Sequence, residues 1–227
     1  MAIEIVPAIL VKSREDMKRK FLQVAPYVSR VQLDIMDGIF VPNKTLDISQ
    51  FPPVPQHLLA EYHLMVENPL DYVKKIGKKG AIYELHIESL IGAGGRGGIG
   101  SKTGAEQAEA VNHAISEVKK LGGRVALAIS PDTPVQTLEP YLPKIEQVLV
   151  MTVYPGFSGQ KYLHGMEEKM RYLSSRGVIV EVDGGVDIGS AGRAARAGAT
   201  LLGVASGIFS KPDLKQAIEE LKRDAEV

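Results

Sequence analysis

The sequence predicts an α/β protein closed into a (β/α)8 TIM barrel, and three observations predict it. Strand-like and helix-like segments alternate about eight times along the 227 residues. The strands read as near-continuous apolar runs, the mark of a parallel sheet covered by helices. The third observation concerns the start of the chain. A doubly wound open sheet wants a phosphate-binding glycine loop after its first strand, and Pro7-Ala8-Ile9-Leu10 stands there instead. A barrel carries its chemistry at the carboxyl ends of several strands, so the strand ends are where a site is expected.

Taken in order, Ile3 to Leu10 reads as the first strand, broken at Pro7. Ser13 to Val24 is a helix opened by Ser13-x-x-Asp16, with Met17, Phe21, Leu22 and Val24 suited to its face. Arg30 to Met36 is the second strand, and the loop after it holds Pro42, Pro52, Pro53 and Pro55. Ala60 to Val66 is the third strand, and Pro69 to Lys78 a helix with Leu70, Val73 and Ile76 on one side. Ala81 to Ile87 is the fourth strand and carries His86. The tract from Ile91 to Gly104 is rich in glycine and is read as an insertion within a single domain spanning 1–227. It matches neither a Rossmann nor a Walker pattern, and both a flap over the mouth and an inert insertion satisfy its composition.

Ala105 to Leu121 is a helix ended at Gly122-Gly123, where a left-handed cap is easy, and Arg124 to Ile129 is the fifth strand. Thr133 to Tyr141 is a short helix begun at Pro134, and Gln147 to Val153 the sixth strand. Gly165 to Arg176 is a helix stopped by Gly177, Val178 to Val182 the seventh strand, and Asp187 to Ala197 a helix stopped by Gly198. Thr200 to Val204 is the eighth strand, and Pro212 to Ala225 a closing amphipathic helix.

Lys plus Arg and Asp plus Glu are both 27, with no basic block, so neither nucleic acid nor an anionic membrane is an expected partner. Cysteine is absent, which excludes disulfides, thiolate metal sites and a Cys nucleophile. No apolar run approaches the roughly 18 residues of a membrane span, and no leader pattern opens the chain. A soluble cytoplasmic protein is the expectation.

The second strand, in VQLDIMDGIFVPN, supplies the first site candidates. Side chains alternate along a strand, so Gln32, Asp34 and Met36 share one face. Other strand ends carry His63 and Met65, His86, Met151, and Asp183. A closed barrel brings such residues round one mouth. Two carboxylates and an imidazole can hold a divalent metal, with Gln32 as a neutral fourth ligand. Singly, each has a bland reading: an Asp after a strand is commonly a turn or cap, and a Met is commonly core. Asp37-Gly38 is read as a turn that fixes the loop, while His57, His113 and His164 receive no role. Three glycine-bearing loops follow the last strands: PGFSGQ with Gly156, Ser158 and Gly159, DGGV with Gly184 and Gly185, and VASGIF with Ala205 and Ser206. Such loops let main-chain N–H groups approach an anion, and phosphate is the expected ligand.

Together LDIMDGIFVPN, YHLMVENP, LHIES, MTVYPGFSGQKY and VDGGV resemble the ribulose-phosphate 3-epimerase family, in order over nearly the whole chain. The resemblance implies a ribulose-phosphate-binding barrel with one divalent ion (Zn, Mn, Fe or Co), a sugar phosphate substrate and a homo-oligomer. It implies Asp34 and Asp183 as metal ligands and acid/base pair, and His63 as a metal ligand. Met36, Met65 and Met151 would cap the reacting carbons, and Gly184, Gly185 and Ser206 would contact phosphate. The chain departs from the family at Gln32 and Ala8, where His and Ser are usual, at Ala205, where Gly is common, and in the insertion after His86. Two rivals follow: a non-catalytic phosphosugar-binding relative that lost its metal through Gln32, and a barrel lyase or decarboxylase built on Asp-x-Lys-x-x-Asp. LDIMDG lacks the lysine that the second requires.

Overall fold

Eight parallel strands pair in sequence order, and the last returns to the first, closing the barrel that the alternation predicts. This computed structural model describes residues 2–94 and 103–226. The strands are β1 (Glu4–Ile9), β2 (Arg30–Met36), β3 (Leu59–Met65), β4 (Ile82–His86), β5 (Arg124–Ile129), β6 (Gln147–Met151), β7 (Ile179–Asp183) and β8 (Leu201–Val204). The helices are α1 (Arg14–Val24), α2 (Pro69–Ile76), α3 (Ile87–Ile91), α4 (Gly104–Lys120), α5 (Glu167–Ser174), α6 (Ser190–Arg196), α7 (Ser206–Phe209) and α8 (Leu214–Ala225). Residues 95–102 of the glycine-rich insertion, and with them any reading of it as a flap, lie outside the described residues.

Local signals place the helices. Ser13 caps α1 by accepting from the Asp16 amide at 3.2 Å, and Met17, Phe21 and Val24 are buried on its inner face. Thr103 and Glu106 form a reciprocal capping box at the start of α4. Asp213 caps α8, whose Ala217, Ile218, Leu221 and Ala225 repeat at helical spacing and are buried. Elsewhere the outcome differs from expectation. The segment after β5 is a 3-10 helix from Val135 to Lys144, because Pro140 and Pro143 inside it cannot donate to an α ladder. The helix expected from Gly165 opens with a 3-10 turn over His164–Met166 and becomes α only at Glu167. The two short helices α3 and α7 follow strand ends that the apolar periodicity did not resolve.

Alternation along the strands sorts the residues into two environments. Val31, Leu33 and Ile35 on β2 join the large apolar cluster with the helices, whereas Gln32 and Asp34 turn into the barrel. The barrel interior is unusually polar. Glu61, Glu84, Gln147 and Glu181 are fully buried or nearly so below the mouth. The Gln147 Nε2 donates to Glu181 Oε2 at 2.5 Å and reaches Glu61 and Glu84 at 3.4 Å each, while Arg30 pairs with Glu61 at 2.8 Å. Burial and mutual repulsion push the carboxyl groups of Glu84 and Glu181 up, that of Glu84 to about 8.

Candidate active site

Strand register assembles the mouth. Asp34 lies beside His63 and Met36 beside Met65 across β2 and β3, and Met151 lies beside Asp183 across β6 and β7. Closure then brings Asp34, His63 and Asp183 together, with one ligand atom of each lying within 4.8 Å of the others. These residues are 29 to 149 positions apart in the chain, and only a closed sheet unites them.

Gln32 is the fourth member. Its Nε2 lies 2.8 Å from Asp34 Oδ1, 2.8 Å from Asp183 Oδ2 and 3.1 Å from His63 Nδ1. The sequence offered its carbonyl oxygen as a ligand; the structure turns the nitrogen inward and leaves Oε1 buried without a hydrogen-bond partner among the described residues. Burial opposes a charge on the His63 ring, but bonds to Asp183 and Asp34 outweigh it and push its pKa up to about 10.

Behind His63 runs a relay that sequence reasoning missed. The His63 Nε2 is 2.9 Å from His86 Nε2, and His86 Nδ1 is 3.1 Å from Glu88 Oε2. Glu88 Oε1 accepts from the Ser130 amide at 2.7 Å, and all three side chains are fully buried. Burial pushes the His86 pKa down, so its ring stays neutral. Burial also works against a charge on Glu88, yet bonds from His86, Thr133 and the Ser130 amide hold its pKa below the usual value. The tautomers follow. Glu88 takes the Nδ1 proton of His86 and the bare His86 Nε2 takes that of His63, while His63 Nδ1 holds a proton toward Asp34 and Asp183 that a bound ion would displace to reach the lone pair. The His-x-Glu spacing in LHIES, at the end of a strand, was the available signal.

Above this layer the expected residues line one recess: Asp34 and Asp183 at its base, Met36, Met65 and Met151 on its walls, and Gly156, Ser158, Gly159, Gly184, Gly185, Ala205 and Ser206 at its rim. Met36 and Met65 also pack with Phe40 and Val41, so they are at once core and wall. The rim loops are tied to one another. Asn43 Nδ2 donates to the Gly156 carbonyl at 2.6 Å, and Gln160 Nε2 donates to the carbonyls of Tyr154 and Phe157 at 2.7 and 2.9 Å. Asp37 accepts from the amides of Ile39, Phe40 and Glu67, which makes it the loop fastener expected and no part of the recess. At Gly185, φ is +66°, and a Cβ would stand 2.5 Å from Tyr162 N and 2.7 Å from Gln160 O, so close backbone approach demands glycine there.

The donor set suits a divalent ion. Two carboxylate oxygens and an imidazole nitrogen, already converged and backed by an orienting relay, are ligands that Zn, Mn, Fe or Co accept. The orphaned Gln32 Oε1 is a further buried oxygen that such an ion would satisfy once the amide turned inward. The residues present therefore fit the group.

Comparison with known proteins agrees with the geometry. Residues 4–93 and 102–209 match the sequence model of the ribulose-phosphate 3 epimerase family. The ribulose-phosphate 3-epimerase of Bacillus subtilis (strain 168) is 32% identical over 203 residues, covering 85% of each chain. That of Methanocaldococcus jannaschii is 36% identical over 203 residues, covering 85% of this chain and 78% of its own. Among solved structures, KGPDC from Streptococcus mutans superposes with a TM-score of 0.67 at 13% identity, over 100% of this chain and 98% of its own, a likeness of fold alone. A closed barrel, three converged side chains able to ligate a metal, and matches of this extent lead to one conclusion: the chain belongs to the ribulose-phosphate 3-epimerase family.

Proposed function

We propose that the chain is a metal-dependent epimerase that inverts C3 of a ketose phosphate, interconverting ribulose 5-phosphate and xylulose 5-phosphate and admitting a hexulose 6-phosphate. A cytoplasmic homo-oligomer is part of the same reading. The observation that carries it is the meeting of Asp34, Asp183 and the buried His63, the two acids lining a recess whose rim is built from three glycine-bearing loops.

Inverting a carbon next to a ketone requires removing its proton from one face and returning one to the other. Asp34 on β2 and Asp183 on β7 enter the recess from strands on different sides, with β1 and β8 between them. One carboxylate takes the C3 proton and the other delivers a proton to the opposite face, the roles exchanging with direction. A carboxylate alone is too weak a base for such a carbon; a divalent ion held by Asp34, His63 and Asp183 would supply the neutralisation of the oxyanion that develops. The thioethers of Met36, Met65 and Met151 exclude water without offering stray protons. Main-chain N–H groups of the PGFSGQ and DGGV loops and of Ala205-Ser206 would hold the phosphate and so orient C3.

A coupled assay of metal-reconstituted protein against ribulose 5-phosphate and allulose 6-phosphate tests the proposal. Turnover of the pentulose, lost on chelation and regained with metal, is the expected result. Binding of either sugar phosphate without turnover would favour the non-catalytic relative.

The relay makes a separate prediction. A carboxamide can accept on one side only, so Glu88→Gln loses either the His86 or the Ser130 bond and releases the tautomer of His63. Metal affinity is expected to fall about ten- to hundredfold, measured by titration calorimetry. An unchanged affinity would show that the relay serves packing alone.

A further inference from the structure

The Gln32 side chain lies at the point on which the three ligand residues converge, within 2.8, 2.8 and 3.1 Å of their inward atoms. Electrostatics decides which end it presents. Between two carboxylates the NH2 end is attracted and the carbonyl end repelled, so Nε2 faces Asp34 and Asp183. Oε1 is then turned toward Gly203 on β8, where a Cβ would stand only 3.2 Å from it, and accepts no hydrogen bond among the described residues. An orphaned buried carbonyl is unfavourable, and the arrangement stands because two charge-assisted hydrogen bonds outweigh it.

A cation at that point reverses the sign. It attracts oxygen and repels the NH2 end, and Nε2 and an ion cannot share one place. We propose that the Gln32 carboxamide is an internal stand-in for the cation. It holds Asp34 and Asp183 in their converged geometry by its two N–H donors, with His63 drawn in by Asp34 at 3.2 Å, and it has to turn about its terminal bond, bringing Oε1 inward, before an ion is bound. The inference rests on the reading that those three residues bind a divalent ion. Two consequences follow. The cluster keeps its geometry when the ion is withdrawn, and the ion is bound more weakly than a side chain with no competing donor would allow, because only the turned fraction is competent.

Gln32→Glu tests this, since it keeps the shape and removes the donor. Cobalt(II) is the probe, read by calorimetric titration and by its visible absorption, and the melting temperature of chelator-treated protein is the second readout. Wild type is expected to melt at nearly the same temperature before and after chelation. Chelated Gln32→Glu is expected to melt several degrees lower at pH 8, to regain that loss with cobalt, and to bind cobalt about tenfold more tightly or better. Should this variant need metal to fold, it is prepared in cobalt and then stripped, and its loss of structure on stripping is the same expected result. Gln32→His supplies a second affinity comparison, also expected to be tighter than wild type. Equal cobalt affinity in all three proteins, or unchanged melting of chelated Gln32→Glu, overturns the stand-in and leaves the metal reading intact. Failure of all three to bind cobalt overturns both.

Discussion

Asp34→Asn is expected to abolish exchange of the substrate C3 proton with solvent while leaving the fold intact. The substitution keeps the shape and an oxygen that can still accept from Gln32 Nε2, so the cluster loses a charge and a base but little packing. Removing a positioned acid/base group costs about 10²- to 10⁴-fold in rate. Here the loss is expected at the upper end or beyond, because the proposed function also makes Asp34 one of the three residues that would hold the ion. Asp183 would be left to abstract a proton without the charge neutralisation that makes abstraction feasible, and exchange should therefore fall for both epimers. Asp183→Asn should behave alike, and the double variant should lose little more than either single one, since residues that act as a unit are not additive. The measurement is deuterium incorporation at C3 in heavy water, with the melting temperature as a control for folding. Near-normal exchange in a folded Asp34→Asn protein would refute the two-carboxylate scheme.

Much of this was legible before any coordinates because two kinds of pattern are local. Strand alternation put Gln32, Asp34 and Met36 on one face, and closure of a parallel barrel then needed only the position of each strand end to place His63, Met65, Met151 and Asp183 beside them. Capping chemistry was equally local, and Ser13 caps the helix that it opens. What the sequence did not disclose depends on distance across the barrel. The orientation of the Gln32 amide is set by Asp183, 151 residues away, and the partner of His86 is His63 on the neighbouring strand. The interior acids were missed for a different reason. Glu61, Glu84 and Glu181 each sit two residues before a site residue on the same strand, so alternation puts them on the same inward face, one layer deeper. An acid inside an apolar strand was that signal. Which acids meet, and which has an arginine, only the closed barrel decides.

That deeper layer makes stability depend on pH in a definite direction. Glu61 has Arg30 at 2.8 Å, and Glu181 has Gln147 at 2.5 Å, whereas Glu84 has a 3.4 Å contact from the same amide and a bond shared with Glu181. Glu84, like Glu181, is driven toward its neutral form. Burial first, and the neighbouring Glu61 next, raise its pKa from 4.5 to about 8. A carboxyl whose pKa is raised on folding is protonated in the fold while the unfolded chain ionises. Its contribution is therefore complete below about pH 4.5 and is lost as pH rises through about 8. Over that window one such group removes about 1.4 kcal/mol of stability per pH unit. Glu84→Gln keeps the hydrogen-bonding shape of the protonated acid and cannot ionise. We expect it to leave stability near pH 5 almost unchanged and to raise it by about 2 kcal/mol or more at pH 9, flattening the profile between. Urea unfolding of both proteins at pH 5, 7 and 9 measures the two slopes. Parallel profiles would mean that Glu84 is ionised in the folded barrel, its charge held by the Gln147 amide and by Arg30 through Glu61.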